Sequence, residues 1–452
     1  MLPSNRIPYR STIMKTYQSR RRFILQSGKL VAASAVAPVT GPLLLSAEKG
    51  SPNERVRFGA IGVGGRGTSI ANAARRFADV VGVCDLDTQR IERVIKGFRA
   101  QDTSKGYQEY RKLLDRKDID FVTIGTTDHW HTRVAIHAMQ AGKDVYCEKP
   151  LTLTIDEGKQ ICKVVKETGR VFQVGTQQRS EMGQKFLQAI GIIREGRIGK
   201  VQKVTCNIGG GPKGGPFKTS APPANIDWNT WLGQAPLVDY IKERCHYQFR
   251  WWYEYSGGKM TDWGAHHVDI AQWALDQSGE GQGPLSIDPV IGEHPIPLKD
   301  GMPTKDNHYN TSHNFHIRCG FPDGVEMNIV SRSPEGNGIL FEGSKGKLLV
   351  SRGKLKGDAV NELKEKPLAS DTIKKIYKGK TPTNHMENFF QCVKDRKHPI
   401  SDVFTHHRAM TTCHLANISI RLGRKLTWDP KTEQMVGDEK ANAWQSREQR
   451  KG

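Results

Sequence analysis

Val56-Arg57-Phe58-Gly59-Ala60-Ile61-Gly62-Val63-Gly64-Gly65-Arg66-Gly67 is the stretch whose reading decides the fold. An apolar strand runs into Gly62-x-Gly64-x-x-Gly67, a helix rich in small residues (Ala71, Ala73, Ala74) follows, and a second apolar strand ends at Asp85. Gly62 permits a tight turn, Gly64 lets backbone amides approach a pyrophosphate at the helix N-terminus, and Gly67 lets helix and strand close together. Gly65 and Arg66 belong to the same phosphate-facing turn. Asp85, about 20 residues downstream, is placed to accept from a ribose 2′-OH. Strand, glycine turn, helix and carboxylate together predict a dinucleotide site. The acid favours NAD, because a 2′-phosphate there would meet like charge.

Outward from this stretch the chain alternates strand and helix as far as Gly175. Strands are expected at Val56–Ile61, Val80–Cys84, Phe121–Gly125, Asp144–Cys147 and Val171–Val174, and helices at Thr68–Phe77, Gln89–Ala100, Glu109–Asp115, Val134–Ala141 and Ile155–Glu167. That rhythm predicts an α/β fold with a doubly wound parallel sheet, its ligand crevice at the strand carboxyl ends. After a helix at Gly183–Arg194, alternating segments at Val201–Asn207, His313–Cys319, Val325–Val330, Gly338–Glu342 and Lys347–Val350 predict a mostly antiparallel sheet in a second, α+β domain. Gly209–Ala224 is Gly/Pro/Lys-rich and reads as loop, Lys354–Lys380 as an exposed Lys-rich stretch. Asn384–Asp395 and Phe404–Leu422 have helical periodicity. The expected organisation is an export signal and linker over 1–50, a dinucleotide-binding domain over 51–180, a substrate and oligomerisation domain over 181–430, and a polar tail over 431–452 that wraps the surface.

Upstream, Ser19-Arg20-Arg21-Arg22-Phe23-Ile24-Leu25 precedes a weakly apolar run from Leu30 to Leu45. This looks like a twin-arginine export signal, which implies the export machinery as a partner and a periplasmic or cell-envelope location; unused, it would leave the protein cytoplasmic. Pro38, Gly41 and Pro42 break a run already short for a membrane span, so no stable insertion is expected. The net charge is +21, of which residues 1–50 contribute +7. The rest remains basic, suited either to a solvated lysine surface or to anionic polymers and substrates. No nucleic-acid motif is present. Eight cysteines lie far apart without a Cys-x-x-Cys pair, which suggests neither a zinc site nor a disulfide framework.

Cys147-Glu148-Lys149-Pro150 closes the strand at Asp144–Cys147. Glu-Lys-Pro at that position, some distance after the glycine fingerprint, resembles the Gfo/Idh/MocA family of sugar and polyol oxidoreductases. The resemblance extends from Val56 to about Trp444. It implies that Lys149 lies beside nicotinamide and the reacting hydroxyl, that Glu148 belongs to the cofactor site, and that a cis bond precedes Pro150. Thr126-Thr127-Asp128-His129-Trp130-His131 resembles the family's Thr-Pro-Asn/Asp-x-x-His signature, which places Thr126, Asp128 and His131 around ribose and nicotinamide. Thr127 departs from the usual Pro, and Asp128 can equally cap the next helix. The resemblance also puts polar substrate-facing groups after Val171–Val174, where Gln178 and Arg179 stand.

Gly257-Gly258-Lys259-Met260-Thr261-Asp262-Trp263-Gly264-Ala265-His266-His267-Val268-Asp269 is the second constellation. On one continuous helix Asp262 and His266, four apart, share a face, where the carboxylate would orient the imidazole. The family places such an Asp and His against the substrate, so His266 is expected as base or acid and Asp262 as its partner and relay. Adjacent histidines diverge by about 100° on a helix, so no metal is expected from Asp262, His266, His267 and Asp269. His267 packs inward or lines the substrate site, and Asp269 reads as structural. Arg250 and Trp251, within Phe249-Arg250-Trp251-Trp252-Tyr253, either grip a sugar face or belong to core. The whole predicts NAD-dependent hydride transfer between nicotinamide and a hydroxyl of a sugar, glycoside or polyol, with tightly held cofactor and a homo-oligomeric assembly. A redox-neutral glycosidase or epimerase cycle and a non-catalytic sugar-binding protein are the other readings.

Overall fold

The computed structural model describes residues 55–450, so the Arg20-Arg21 pair and the apolar run after it lie outside the described residues. β1 (Arg57–Ile61), β2 (Asp79–Cys84), β3 (Lys105–Tyr107), β4 (Phe121–Ile124), β5 (Asp144–Cys147) and β6 (Phe172–Val174) form one sheet. The order is β3-β2-β1-β4-β5-β6 and every pair is parallel. β4, β5 and β6 are buried along their whole length, as strands covered on both faces must be. The strand order reverses between β1 and β4, which opens a crevice at their carboxyl ends.

The intervening helices are Gly65–Ala74, Thr88–Gly97, Tyr110–Leu114, Asp128–Gln140 and Ile155–Thr168. Asp87 caps the second by accepting from the Gln89 amide, Thr154 caps the last, and Gly169 ends it at a φ of +60°. Two elements differ from expectation. β3, three residues around Gly106, has too little pattern to read, and the Asp128–Gln140 helix begins six residues before Val134, its polar first turn buried by neighbours rather than by its own apolar spacing.

β7 (Val201–Asn207), β8 (Ser286–Glu293), β11 (Asn314–Gly320), β12 (Glu326–Val330), β13 (Gly338–Gly343), β14 (Gly346–Val350), β15 (Leu355–Lys356), β16 (Leu426–Asp429) and β17 (Gln434–Met435) build the second sheet, while β9 (Leu298–Lys299) and β10 (Met302–Pro303) pair separately. Its order is β15-β14-β13-β7-β12-β11-β8-β16-β17, antiparallel except at β7–β12. β8 and β16 were not expected. Pro289 interrupts β8 and half of its residues are exposed, so no alternation marks it.

Helices Lys185–Arg194, Gly264–Ala274 and Val403–Leu422 bury this sheet's inner face. The Val403–Leu422 helix also packs against Ile155–Thr168, and His385–Asp395 returns to the first sheet, where Met386 and Phe389 join Phe58, Val80 and Phe121 in one apolar cluster. Gly209–Ala224 forms no regular element, as expected. The Lys-rich stretch is less open than its composition suggests, since it contributes β15, two short helices and the fully buried Tyr377. The tail does more than wrap the surface: Arg447 donates to the carbonyls of Tyr253 and Glu254 at 2.8 and 3.0 Å. Among the described residues no helix is long and apolar enough to cross a membrane, and all eight cysteines are free thiols.

Candidate active site

The glycine turn is built for close approach. Gly62 has a φ of +74°, and a Cβ on Gly67 would lie 1.7 Å from the Gly62 carbonyl oxygen. Gly64 caps the Gly65–Ala74 helix without any side-chain acceptor, so its first amides are free to face an anion. Asp85, at the end of β2, accepts from the amides of Val63 at 2.8 Å and Asp87 at 3.0 Å. Burial raises its carboxyl above the usual carboxylate range, with Arg90 pulling the other way. A pocket lined by Gly62, Gly64, Asp85, Arg90, Thr126 and Trp231 runs along these strand ends. Glycines that leave no room for side chains, free helix amides and a fixed carboxylate fit a dinucleotide.

This pocket has a cover that the sequence did not reveal. Asn225 accepts from the Thr88 amide at 3.2 Å and donates to Asp87 at 2.7 Å, while His246 Nδ1 meets Arg90 Nη2 at 2.5 Å. The Trp231 carbonyl accepts from Trp130 Nε1 at 3.0 Å. A segment that follows the loop of Gly209–Ala224 thus closes over the crevice.

β5 delivers Glu148 and Lys149 to the reactive end. Glu148 Oε1 accepts from Arg66 Nε at 2.8 Å and Gln177 Nε2 at 3.0 Å. A cis bond joins Lys149 to Pro150. His131 lies behind this turn, with Nδ1 2.7 Å from the Pro150 oxygen and Nε2 3.2 Å from the Thr126 oxygen, so it positions the cofactor loops instead of facing the cleft. Lys149 Nζ donates to the Asp262 carboxylate at 2.6 Å and to the Asp262 carbonyl at 2.9 Å. Burial pushes the Asp262 carboxyl up, but Lys149 and Arg250 outweigh it and hold it below the usual range.

The expected Asp262–His266 pair does not form. The helix breaks: one segment, Gly258–Asp262, ends at Trp263 and another, Gly264–Ala274, begins, so the four-residue spacing no longer sets a shared face. Asp262 turns to Lys149, and His266 packs edge-on against Trp263 with its Nδ1 unpartnered. Burial first, then Lys149 and Arg352, drives the His266 imidazole well below its ordinary value. It is therefore held neutral, with Nδ1 left without a partner.

Four substrate-facing expectations are corrected. Arg179 is buried and makes a two-pronged ion pair with Asp269, at 2.7 and 2.6 Å, and also donates to the Ile400 carbonyl. A fork that donates to a carboxylate and a carbonyl in the core has no reach to a ligand. Gln178 and His267 are both buried; Gln178 Nε2 is 3.3 Å from His267 Nδ1, and His267 Nε2 is 3.0 Å from Asn337 Oδ1. Trp251 donates to Gln248 at 2.8 Å within a cluster with Trp252 and Tyr255, which makes it core. Arg250 does reach the site, its Nε 3.8 Å from Asp262. Arg352 was missed: it follows β14, stacks over Trp263 at 4.6 Å and approaches Gln178 Oε1 at 3.4 Å. Among the described residues no cluster of His, Cys, Asp and Glu is arranged for a metal.

Asp128 does not cap its helix. It is buried inside the first turn and accepts from Ser256 Oγ at 2.5 Å. Burial pushes its carboxyl up to about 7, against the pull of Ser256 and Arg250. The folded chain then holds a proton that the unfolded chain loses near the ordinary carboxylate value. That contribution is complete at low pH and disappears as pH rises through about 7. Relative to Asp128→Asn, the wild-type protein should lose a few kcal/mol of stability between about pH 4 and 8. Denaturant melts at several pH values check this, and parallel curves for the two proteins would refute it.

Comparison with known proteins agrees with this fold. Residues 56–176 match the oxidoreductase family's NAD-binding Rossmann fold, and residues 216–452 match its C-terminal alpha/beta domain. A glycosyl hydrolase family 109 protein of Shewanella pealeana is 30% identical over 207 residues, covering 40% of this chain and 44% of the relative. An inositol 2-dehydrogenase of Salmonella typhimurium is 30% identical over 150 residues, covering 32% and 43%. The chain thus spans less than half the length of these relatives. An aldose-aldose oxidoreductase from Caulobacter crescentus superposes with a TM-score of 0.57 at 17% identity, covering 82% of this chain and 99% of that one. The WlbA dehydrogenase of Chromobacterium violaceum, solved with NADH and UDP-GlcNAcA, gives 0.55 at 17%, covering 82% and 96%. With both family models matched, the second over half of its length, the chain belongs to the Gfo/Idh/MocA oxidoreductases and carries their NAD-binding Rossmann domain.

Proposed function

We propose that the protein moves a hydride between NAD and a hydroxyl carbon of a sugar, glycoside or polyol, with Lys149 and His266 handling the hydroxyl proton. The observation that carries this reading is the meeting of Lys149 and Asp262 at 2.6 Å, which ties the strand end beside the cofactor crevice to the segment bearing His266. NAD supplies the hydride acceptor. Lys149, fixed by two bonds to Asp262, polarises the substrate oxygen, and the neutral His266 takes the proton that must leave as the carbon is oxidised. Arg66 and Gln177 fix Glu148 beneath Lys149, and Arg250 shares Asp262, so removing a proton from this cluster leaves no carboxylate unpaired. The nearby relatives named for sugars and inositol support a carbohydrate or polyol as substrate.

The segment over the crevice favours a second feature: the cofactor is retained between turnovers. Retention permits a redox-neutral cycle, in which transient oxidation of a ring hydroxyl enables epimerisation or glycosidic cleavage. A twin-arginine signal, which would send the folded protein to a compartment without an NAD pool, fits the same cycle. Nucleotide released by denaturing the purified protein and identified by mass spectrometry should be NAD, near one per chain. Asp85→Ala should narrow the preference of NAD over NADP. Protein that copurifies NADP, or no nucleotide, would refute the assignment.

A further inference from the structure

Around the reactive end the charges do not balance. Arg66 is matched by Glu148 and Lys149 by Asp262, and Arg250 stands 3.8 Å from that same Asp262. Two cations are left over. Among the described residues no carboxylate oxygen lies within 4.0 Å of Lys259 or Arg352. Both flank one ring, Arg352 at 4.6 Å and Lys259 at 5.5 Å from the centre of Trp263, and the same indole holds His266.

The two are half-buried and poorly satisfied. Arg352 offers its fork only to Gln178, at 3.4 Å, a long contact that leaves donors free. Burial first, then Arg66, lowers Arg352 below its ordinary value against the opposing pull of Asp262 and Glu148; burial first, and then Arg250 and Lys149 against the opposing pull of Asp262, lowers Lys259. Cations gathered in a partly dry cleft repel one another, and the cofactor does not relieve them. Its pyrophosphate belongs at the glycine turn, and its oxidised nicotinamide brings a further positive charge.

We infer that the substrate is a carbohydrate bearing an anionic substituent, a carboxylate or a sulfate ester, and that Arg352 and Lys259 grip that substituent beside Trp263. This deepens the proposed function and rests on it for the placement of the reacting hydroxyl near Lys149 and His266. The planar guanidinium suits a two-pronged contact with a carboxylate or sulfate, and Lys259 adds a point charge. The Trp263 ring holds the two cations in place beside the cleft.

The test is a titration of the NAD-loaded protein with glucuronate, galacturonate and N-acetylglucosamine 6-sulfate beside glucose, galactose and N-acetylglucosamine. Binding is read by tryptophan fluorescence and turnover by the reduced-nicotinamide band. At least one anionic sugar should bind about tenfold or more tightly than its neutral counterpart, the scale of one charge-assisted hydrogen bond. Whether the carboxylates or the sulfate show this gain tells which anion the site takes. Arg352→Gln or Lys259→Gln should shrink the gap to within about threefold, and raising salt should narrow it in the unmodified protein, which keeps the test valid if a variant folds poorly. Neutral sugars that bind equally well and reduce the nicotinamide would overturn the anion inference and leave the oxidoreductase reading intact. Anionic sugars that bind preferentially without any reduction would support the inference and count against that reading. No binding by any of the six overturns the inference.

Discussion

His266→Ala and Lys149→Ala each lower hydride transfer by roughly 10²–10⁴-fold while NAD binding stays nearly intact, the scale for losing a positioned acid or base. Neither residue touches the glycine turn, and the pocket along the strand ends keeps its lining without them. Lys149→Ala does not strand Asp262, because Arg250 remains 3.8 Å away. The double variant should be far from additive, since either loss disables the same proton transfer. Single-turnover absorbance with fixed amounts of bound NAD separates binding from chemistry. Wild-type-like transfer in His266→Ala would remove it as the base and leave Lys149 alone with that role.

Arg179→Leu should cost about 3–5 kcal/mol of stability, the expected result of leaving Asp269 charged and buried with only His406, at 3.9 Å, nearby. Burial opposes the charge on Asp269, and Arg179 is the chief group that outweighs it. Replacing both members with apolar residues of similar volume should recover much of the loss. Chemical melts measure this, with KM for a turned-over sugar as the control. Unchanged stability together with a raised KM would return Arg179 to the substrate site.

The contrast between these two residues shows what the sequence carries. Lys149 was legible because Glu-Lys-Pro, just beyond a buried strand, resembles a family motif, and the glycine fingerprint fixes which end of the sheet is functional. Arg179 also follows a buried strand, five residues after β6 ends, yet its partner Asp269 lies 90 residues away and only folding brings them together. Asp262 and His266 were singled out by their four-residue spacing, but the spacing rule presumes an unbroken helix. The break at Trp263 sends Asp262 to Lys149 and leaves His266 free. Arg352 had no local signal at all, since nothing about an arginine after a short antiparallel strand says which cleft it enters. The same holds for Asn225 and His246 over the cofactor crevice. The parallel strands other than β3 announced themselves by short, mostly apolar runs, whereas β8, with Pro289 and an exposed half, did not.

The most direct test of the central claim is rapid mixing of the NAD-loaded protein with neutral and anionic sugars while the reduced-nicotinamide band is followed. With at least one sugar the band should rise, in a lasting or transient phase, slow on deuteration of the reacting carbon, and vanish in the Lys149→Ala, His266→Ala double variant. A sugar consumed by fully loaded protein with no rise in the band at any time, and no isotope effect, would contradict it.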